Sequence, residues 1–150
     1  MTQYFYLAAP RKLPTGSFGS NPVSAKQPHV FRTELDFTHL FFENNMDEQS
    51  KKRFSFSPHF SLEHQVAFSH NFLPLKNELK GNLIEEKCLN ILYSYIEEAL
   101  QMSGVVEYFS SLNGKEGLPV SCKKSIHWLD LKNPYDLVLA DREFWEISYC

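Results

Sequence analysis

Acidic side chains are concentrated near the C-terminal end of the sequence and are the first residues with chemical potential. The last twenty-one residues contain the carboxylates of Asp130, Asp136, Asp141, Glu143 and Glu146. Carboxylates on neighbouring strands can hold Mg²⁺ or Mn²⁺, or can divide the roles of acid and base. Asp141 and Glu143 are two residues apart on a predicted strand and so share one face. They are the candidate catalytic residues of a metal-dependent hydrolase or nuclease, although a strand edge defended by charge explains the same pattern.

A second candidate site lies in the segment 10–28, which holds four prolines and two glycines. This composition breaks helices and strands, so it predicts a loop of nineteen residues. Loops of that length are uncommon in compact domains and often have a function. The candidate binding residues are at its centre: Thr15, Gly16, Ser17, Phe18 and Gly19. Backbone amides beside glycines could bind an anion, but the segment matches no nucleotide-binding motif, so a partner-binding loop or a plain surface loop is favoured.

Histidine and cysteine side chains show no ligand pattern. His64 and His70 have the same parity in a predicted strand, where their separation is about 20 Å, too far for a shared metal ion. The three cysteines lack CxxC spacing, and Cys88 falls on the apolar face of a predicted helix, where a thiol packs as a small hydrophobe. We therefore predict no bound metal and no cofactor.

Composition limits the class of protein. The 150 residues are the length of one ordinary domain, and aromatic residues make up 15% of them, which favours an aromatic-rich core. The formal net charge of −3 argues against a general nucleic-acid binder and against a membrane protein of the surface-binding type, since both need a dominant basic face. The N-terminus has the features of neither a signal peptide nor a membrane span, and the odd cysteine count fits a reducing compartment, so we expect a cytoplasmic protein.

The first half of the chain is predicted to supply most of a sheet. Residues 3–9 are apolar on both faces, which is typical of a central strand. Alternation predicts a half-buried strand from Phe31 to Phe37. From Phe54 to Phe72, apolar residues take the even positions and polar residues the odd ones. This pattern predicts two strands or one bulged ribbon in which the even-numbered phenylalanines are buried.

The clearest helix begins the second half. Asn82 and Glu85 predict its N-terminal cap, and Gly104 predicts its end. An apolar stripe recurs along it at helical spacing, formed by Ile84, Cys88, Ile91, Tyr95, Ala99 and Met102 and widened by Leu92, Ile96 and Leu100. A second short helix is predicted at 105–112, and a terminal hairpin is predicted from the segments 125–131 and 137–149.

Strands followed by a helix and further strands predict an α+β fold with a mainly antiparallel sheet and one long amphipathic helix packed on it. We expect residues 1–150 to form a single domain with the loop 10–28 on its surface. No residues supply a nucleophile, a base and an orienting group together, so a non-catalytic binding or regulatory protein is favoured over an enzyme. It would act through protein-protein contacts, with a partner protein or within a homo-oligomer. The alternative is the metal-dependent hydrolase or nuclease that uses Asp141 and Glu143.

Overall fold

The computed structural model describes residues 2–69 and 73–149. Its strands are β1 (Gln3–Ala9), β2 (Gly16–Phe18), β3 (Leu40–Asn44), β4 (Met46–Asp47), β5 (Lys52–Arg53), β6 (His64–Phe68), β7 (Val105–Leu112), β8 (Cys122–His127) and β9 (Glu143–Ser148). Its α-helices are α1 (Glu34–Phe37) and α2 (Leu83–Ser103), and two short 3₁₀ helices, Trp128–Asp130 and Pro134–Leu137, lie between β8 and β9. The predicted α+β class, with one long helix and a mostly antiparallel sheet, is confirmed.

Seven strands form the main sheet in the order β2-β3-β6-β1-β7-β9-β8. The strand β1 lies in the middle and pairs antiparallel with β6 and β7, as its apolar residues on both faces predicted. The strands β2 and β8 are the two edges, and β4 and β5 form a separate hairpin. The candidate binding segment therefore lies at one edge of this sheet.

The helix α2 covers one face of the sheet. The Asn82 side chain accepts a hydrogen bond from the Glu85 amide at 2.9 Å, and Gly104 ends the helix at φ 80°, so both predicted ends are confirmed. Tyr95 is buried and stacks on Phe42, with the ring centroids 4.0 Å apart. Among the described residues, no helix has both the length and the apolar character needed to cross a membrane.

The apolar stripe of α2 is rotated from its predicted position. Its buried side chains are centred on Leu92 and Ile96, whereas Met102 is 53% exposed and Ile91 is only half-buried. The stripe is therefore wider than the surface that the sheet covers. Its uncovered margin, which includes Ile91, faces a groove described below.

Loops cover the opposite face of the sheet. Phe60 of the segment 54–63 packs edge to face on Tyr6, with ring centroids 6.4 Å apart. The Ser61 amide donates to the buried carboxylate of Glu107 at 3.0 Å. This contact ties the segment to the centre of the sheet.

The strand predicted over residues 54–63 is wrong, because in this part of the described chain the only strand of the alternating segment is β6, which begins at His64. Phe54 is 48% exposed and Ser57 is buried, so the even-odd order of burial fails at these residues. The physical reason is a side chain that replaces a strand partner: Gln65 Oε1 accepts from the Phe56 amide at 2.8 Å. Residue 65 itself is buried, although its parity marked it as exposed.

The predicted burial can be checked at only some of the residues from 64 to 72. Phe68 is buried, as its parity predicted. His70 and Phe72 lie outside the described residues.

The strand predicted at 31–37 is wrong, because α1 and its cap occupy this segment. The Thr33 side chain accepts from the Asp36 amide at 3.1 Å, and the Thr38 hydroxyl donates to the Glu34 carbonyl at 2.7 Å. These short-range bonds stabilise a helical turn where the alternation favoured a strand.

The short helix predicted at 105–112 is also wrong, because this segment is β7. It pairs with β1 on one side and β9 on the other. Two neighbouring strands outweigh any local helical preference of an eight-residue segment.

The terminal hairpin is wrong in its direction. The strands β8 and β9 are adjacent but parallel. Parallel neighbours need a long crossover, and the segment 128–142, with its two 3₁₀ helices, supplies it.

Candidate functional site

The predicted binding residues 15–19 belong to a structured edge of the sheet. The prediction of an unstructured nineteen-residue loop is wrong, because the segment contains the strand β2, which pairs with β3. Phe18 packs edge to face on Phe42 and Tyr95, with ring centroids 5.3 and 5.5 Å away. The Tyr95 hydroxyl donates to the Pro14 carbonyl. These contacts hold β2 against α2 as well as against the sheet.

An anion nest is not the geometry that β2 presents. Successive amides of a strand point in opposite directions, whereas a nest needs consecutive amides that converge on one ion. Gly16 and Gly19 both have φ 103°, so they bracket the strand with conformations that suit glycine. The two glycines therefore allow the backbone to turn at the two ends of β2 and do not form an anion site.

A groove of about 590 Å³ lies between β2 and the outer side of α2, and we call it the helix groove. Its apolar wall consists of Phe18, Leu35, Leu83, Ile91 and Tyr95, and its polar rim includes Glu86, Asn90, Ser94 and Glu98. The part of α2 that lines it is about 22 Å long at 1.5 Å per residue. Leu83 is 69% exposed, so the groove presents unburied apolar surface to water.

The charges of the helix groove are mostly acidic. Glu86 and Glu98 stand at its rim with a single lysine, Lys87. The Lys87 ammonium donates to the Leu35 carbonyl at 2.6 Å, which ties α1 to α2. The groove therefore has a fixed wall on the α1 side and a rim with one excess negative charge.

A second cavity, of about 540 Å³, lies at the other side of β2, and we call it the sheet-face cavity. Its apolar lining includes Phe41, Met46 and Phe54, and Glu43 and Glu48 are its acidic residues. Phe41 lies opposite Ser17 in the β2 to β3 register, and its neighbours Leu40 and Phe42 belong to the core on the helix side. Side chains alternate across a strand, so Phe41 faces away from α2.

The edge strand β2 thus separates two cavities on opposite faces of the sheet. Thr15 and Gly16 line the sheet-face cavity, whereas Phe18 and Gly19 line the helix groove. Four of the five residues that the sequence nominated for binding therefore line a cavity. The fifth, Ser17, is exposed on the strand between them.

Gly19 fits closely against the wall of the helix groove. A Cβ atom added to Gly19 would overlap Ile91 Cδ1, whereas one added to Gly16 meets no atom within 4 Å. Both glycines have the same φ of 103°, so this φ disfavours an alanine at each of the two positions. The pair therefore separates backbone strain from contact with the groove wall.

We expect Gly16→Ala to lower the free energy of unfolding by about 1–2 kcal/mol through backbone strain. Gly19→Ala should cost a further ~1 kcal/mol, because its methyl group displaces Ile91. In an Ile91→Ala background that difference should disappear. Urea unfolding of the single and double variants measures this coupling, and equal costs at the two glycines in both backgrounds would contradict the close fit.

The candidate catalytic residue Glu143 is engaged in an ion-pair cluster. It is 1% exposed and lies 3.0 Å from the Lys76 ammonium and 3.1 Å from the Lys124 ammonium. The indole of Trp145 and the amide of Ala140 donate to it at 2.7 and 2.9 Å. Burial raises the pKa of Glu143, but the hydrogen bonds from these four donors outweigh burial and lower it to about 2.

Asp141, the other candidate catalytic residue, lies in the turn before β9 and is half-exposed. Its carboxylate accepts from the Gln3 amide group at 3.2 Å and lies 3.6 Å from Arg142. Asp136 accepts from the amides of residues 132 and 133 and so caps the second 3₁₀ helix. Within residues 2–69 and 73–149, no three or more His, Cys, Asp or Glu side chains are grouped so that they could hold a metal ion.

The histidines and Cys88 have separate surroundings. His59 contacts the Leu118 carbonyl at 2.7 Å, and His64 lies 3.7 Å from Glu63. Burial raises the pKa of the Cys88 thiol to about 12, so the thiol is protonated at neutral pH. This agrees with the predicted core position of Cys88.

Comparison of the chain with protein-family models, with curated proteins and with solved structures found no match.

Sequence reasoning missed most of the walls of both cavities. The unforeseen lining residues are Leu35 and Leu83 in the helix groove and Phe41, Met46 and Phe54 in the sheet-face cavity. One signal was present, because the apolar stripe of α2 was wider than a single packed face requires. The positions of Phe41 and Phe54 depend on the fold of the β3 region and had no local signature.

Proposed function

We propose that this chain is a non-catalytic protein-binding module that receives an apolar segment of a partner protein in the helix groove. The observation that carries the proposal is the open apolar wall formed by Phe18, Leu35 and Leu83 beside the edge strand β2. Protein-binding sites combine an apolar centre with a polar rim, and the groove has both. A regulatory role by competition for the partner fits the same surface.

Rigid positioning of the groove supports the proposal. Phe18 is packed on Phe42 and Tyr95, and Lys87 holds α1 beside α2. A groove with walls that are already ordered loses little conformational entropy when a partner binds. The C-terminal acids support catalysis less, since the oxygens of Glu143 are already occupied by four donors.

The test selects displayed random peptides on the wild-type protein and measures their affinity for groove variants. The double variant Leu35→Ser/Leu83→Ser removes two exposed apolar side chains and should weaken selected peptides at least tenfold, since each buried leucine contributes about 1.5–3 kcal/mol when fully covered. Leu83 is 69% exposed but Leu35 only 36%, so we expect the double variant to stay folded with a free energy of unfolding lowered by about 1–2 kcal/mol.

Leu129→Ser is the matched control, because Leu129 is 64% exposed and does not line the groove. Its affinity for the selected peptides should equal that of the wild-type protein. Failure to enrich any peptide, or enriched peptides that bind the double variant as tightly as the wild type, would contradict the proposed function.

A further inference from the structure

We propose that the occupant is an extended, basic and apolar segment of a partner protein that adds to the sheet as a strand beside β2. This inference rests on the proposed function and names the chemistry of its ligand. Three observations carry it: the free edge of β2, the two cavities on either side of that edge, and the acidic residues that line both cavities.

The free edge comes from the sheet order. The strand β2 is the first in that order and pairs with β3 on one side only. Alternate residues of a strand direct their N–H and C=O groups to opposite neighbours, so β2 has groups directed away from the sheet. A peptide strand would satisfy them with main-chain hydrogen bonds.

The two edge strands differ in how well their side chains deter the addition of another strand. The opposite edge strand, β8, carries Lys123 and Lys124, and charged side chains deter strand addition. The strand β2 has the sequence Gly-Ser-Phe and no charge. The shortness of β2 is itself a protection against extended pairing, so we expect only a short stretch of the added segment to pair with its three residues.

The cavities lie where the side chains of an added strand would point. Successive side chains of a strand alternate between faces, so one set would enter the helix groove and the other the sheet-face cavity. The two volumes, about 590 and 540 Å³, are similar, and both linings are rich in apolar residues. An occupant with apolar side chains on both faces fits this arrangement, whereas an amphipathic helix would fill one cavity alone.

The charges of the two cavity linings indicate which charged residues the occupant should carry beside its apolar centre. The linings of the two cavities contain Glu86 and Glu98 on one side and Glu43 and Glu48 on the other, with Lys87 as their one basic residue. Like charges across an interface are strongly disfavoured and opposite charges speed association. Lysine or arginine residues next to the apolar centre therefore fit the two linings best, since these linings hold four acidic residues and one basic residue.

The test uses the synthetic peptide Lys-Lys-Val-Ile-Val-Lys-Lys and the full chain. It should bind at least tenfold more tightly at low ionic strength than the same peptide with glutamate at the four lysine positions. Two further peptides carry backbone N-methyl groups, one at the isoleucine and the other at both valines. In a strand these amides face opposite sides, so only one of the two methylated peptides should lose at least tenfold in affinity.

Protein variants separate this inference from the proposed function. Leu35→Ser/Leu83→Ser and Met46→Ser/Phe54→Ser should each weaken the lysine-flanked peptide at least tenfold, and Leu129→Ser should not. Strand addition is overturned if N-methylation has the same effect at both positions, or if Met46→Ser/Phe54→Ser binds the lysine-flanked peptide normally. The proposed function stands in either case if peptides selected from the random library still bind in the helix groove. If sedimentation shows that the chain self-associates through the helix groove, a second copy is the occupant and the inference is also overturned.

Discussion

Glu143→Ala is expected to lower the free energy of unfolding by about 3 kcal/mol at pH 7. The substitution removes the acceptor of the buried Trp145 indole and of the Ala140 amide, and it leaves Lys76 and Lys124 without their shared carboxylate. Breaking a buried ion pair costs about 3–5 kcal/mol, and the lower end applies because both lysine side chains are half-exposed and can turn to water.

The same residue predicts an acid dependence of stability. The pKa of Glu143 is lowered from 4.5 to about 2 by folding, so its contribution is present above pH 4.5 and is lost as the pH falls toward 2. Glu143→Gln should lack this part of the acid loss. Glu146→Ala on the same strand is the control, because Glu146 is exposed. Urea unfolding at pH 7 and pH 3 measures both effects, and a Glu143→Ala cost below 1 kcal/mol would contradict the ion-pair account.

Leu92→Ala is expected to lower the free energy of unfolding by about 2–5 kcal/mol, because Leu92 is fully buried at the centre of the α2 face. The cost combines lost apolar burial with the cavity that remains. Met102→Ala is the matched control, since the sequence placed Met102 on the same apolar stripe but the structure exposes it. Its cost should stay below about 0.5 kcal/mol. Equal costs for the two variants would contradict the observed orientation of α2.

Local signals explain what could be predicted from the sequence. The ends of α2 followed from Asn82 and Gly104, because caps act through bonds within a few residues. The central place of β1 followed from its apolar residues on both faces. The α+β class followed from the succession of these elements.

The errors have a common physical cause in contacts between distant residues. The segment 54–63 alternates like a strand, but the side chain of Gln65 takes hydrogen bonds that a partner strand would make. The segment of β7 has a local pattern that favours a helix, and it is a strand because it pairs with β1 and β9. These two strands lie about 100 residues before it and about 30 residues after it in the sequence. Such pairings leave no periodic trace in the segment itself.

The candidate binding segment shows both outcomes at once. Proline and glycine in the segment 10–28 marked an unusual surface, and four of its five nominated residues line cavities. The same prolines and glycines predicted a loop where β2 is found, and the three residues of β2 are too few to show the alternation of a strand. The opposite walls come from α1, α2 and the β3 region, and only the folded chain brings them to this edge.

The most direct test of the binding account is an amide NMR titration of the labelled full chain with the lysine-flanked peptide. The account predicts that the largest shift changes occur in β2 and Gly19 and along the groove side of α2, with further changes at Phe41 and Phe54. Amides of the opposite edge, β8, should change little. Shift changes confined to β8 or to the surroundings of Lys76 and Lys124, with none in β2, would contradict it.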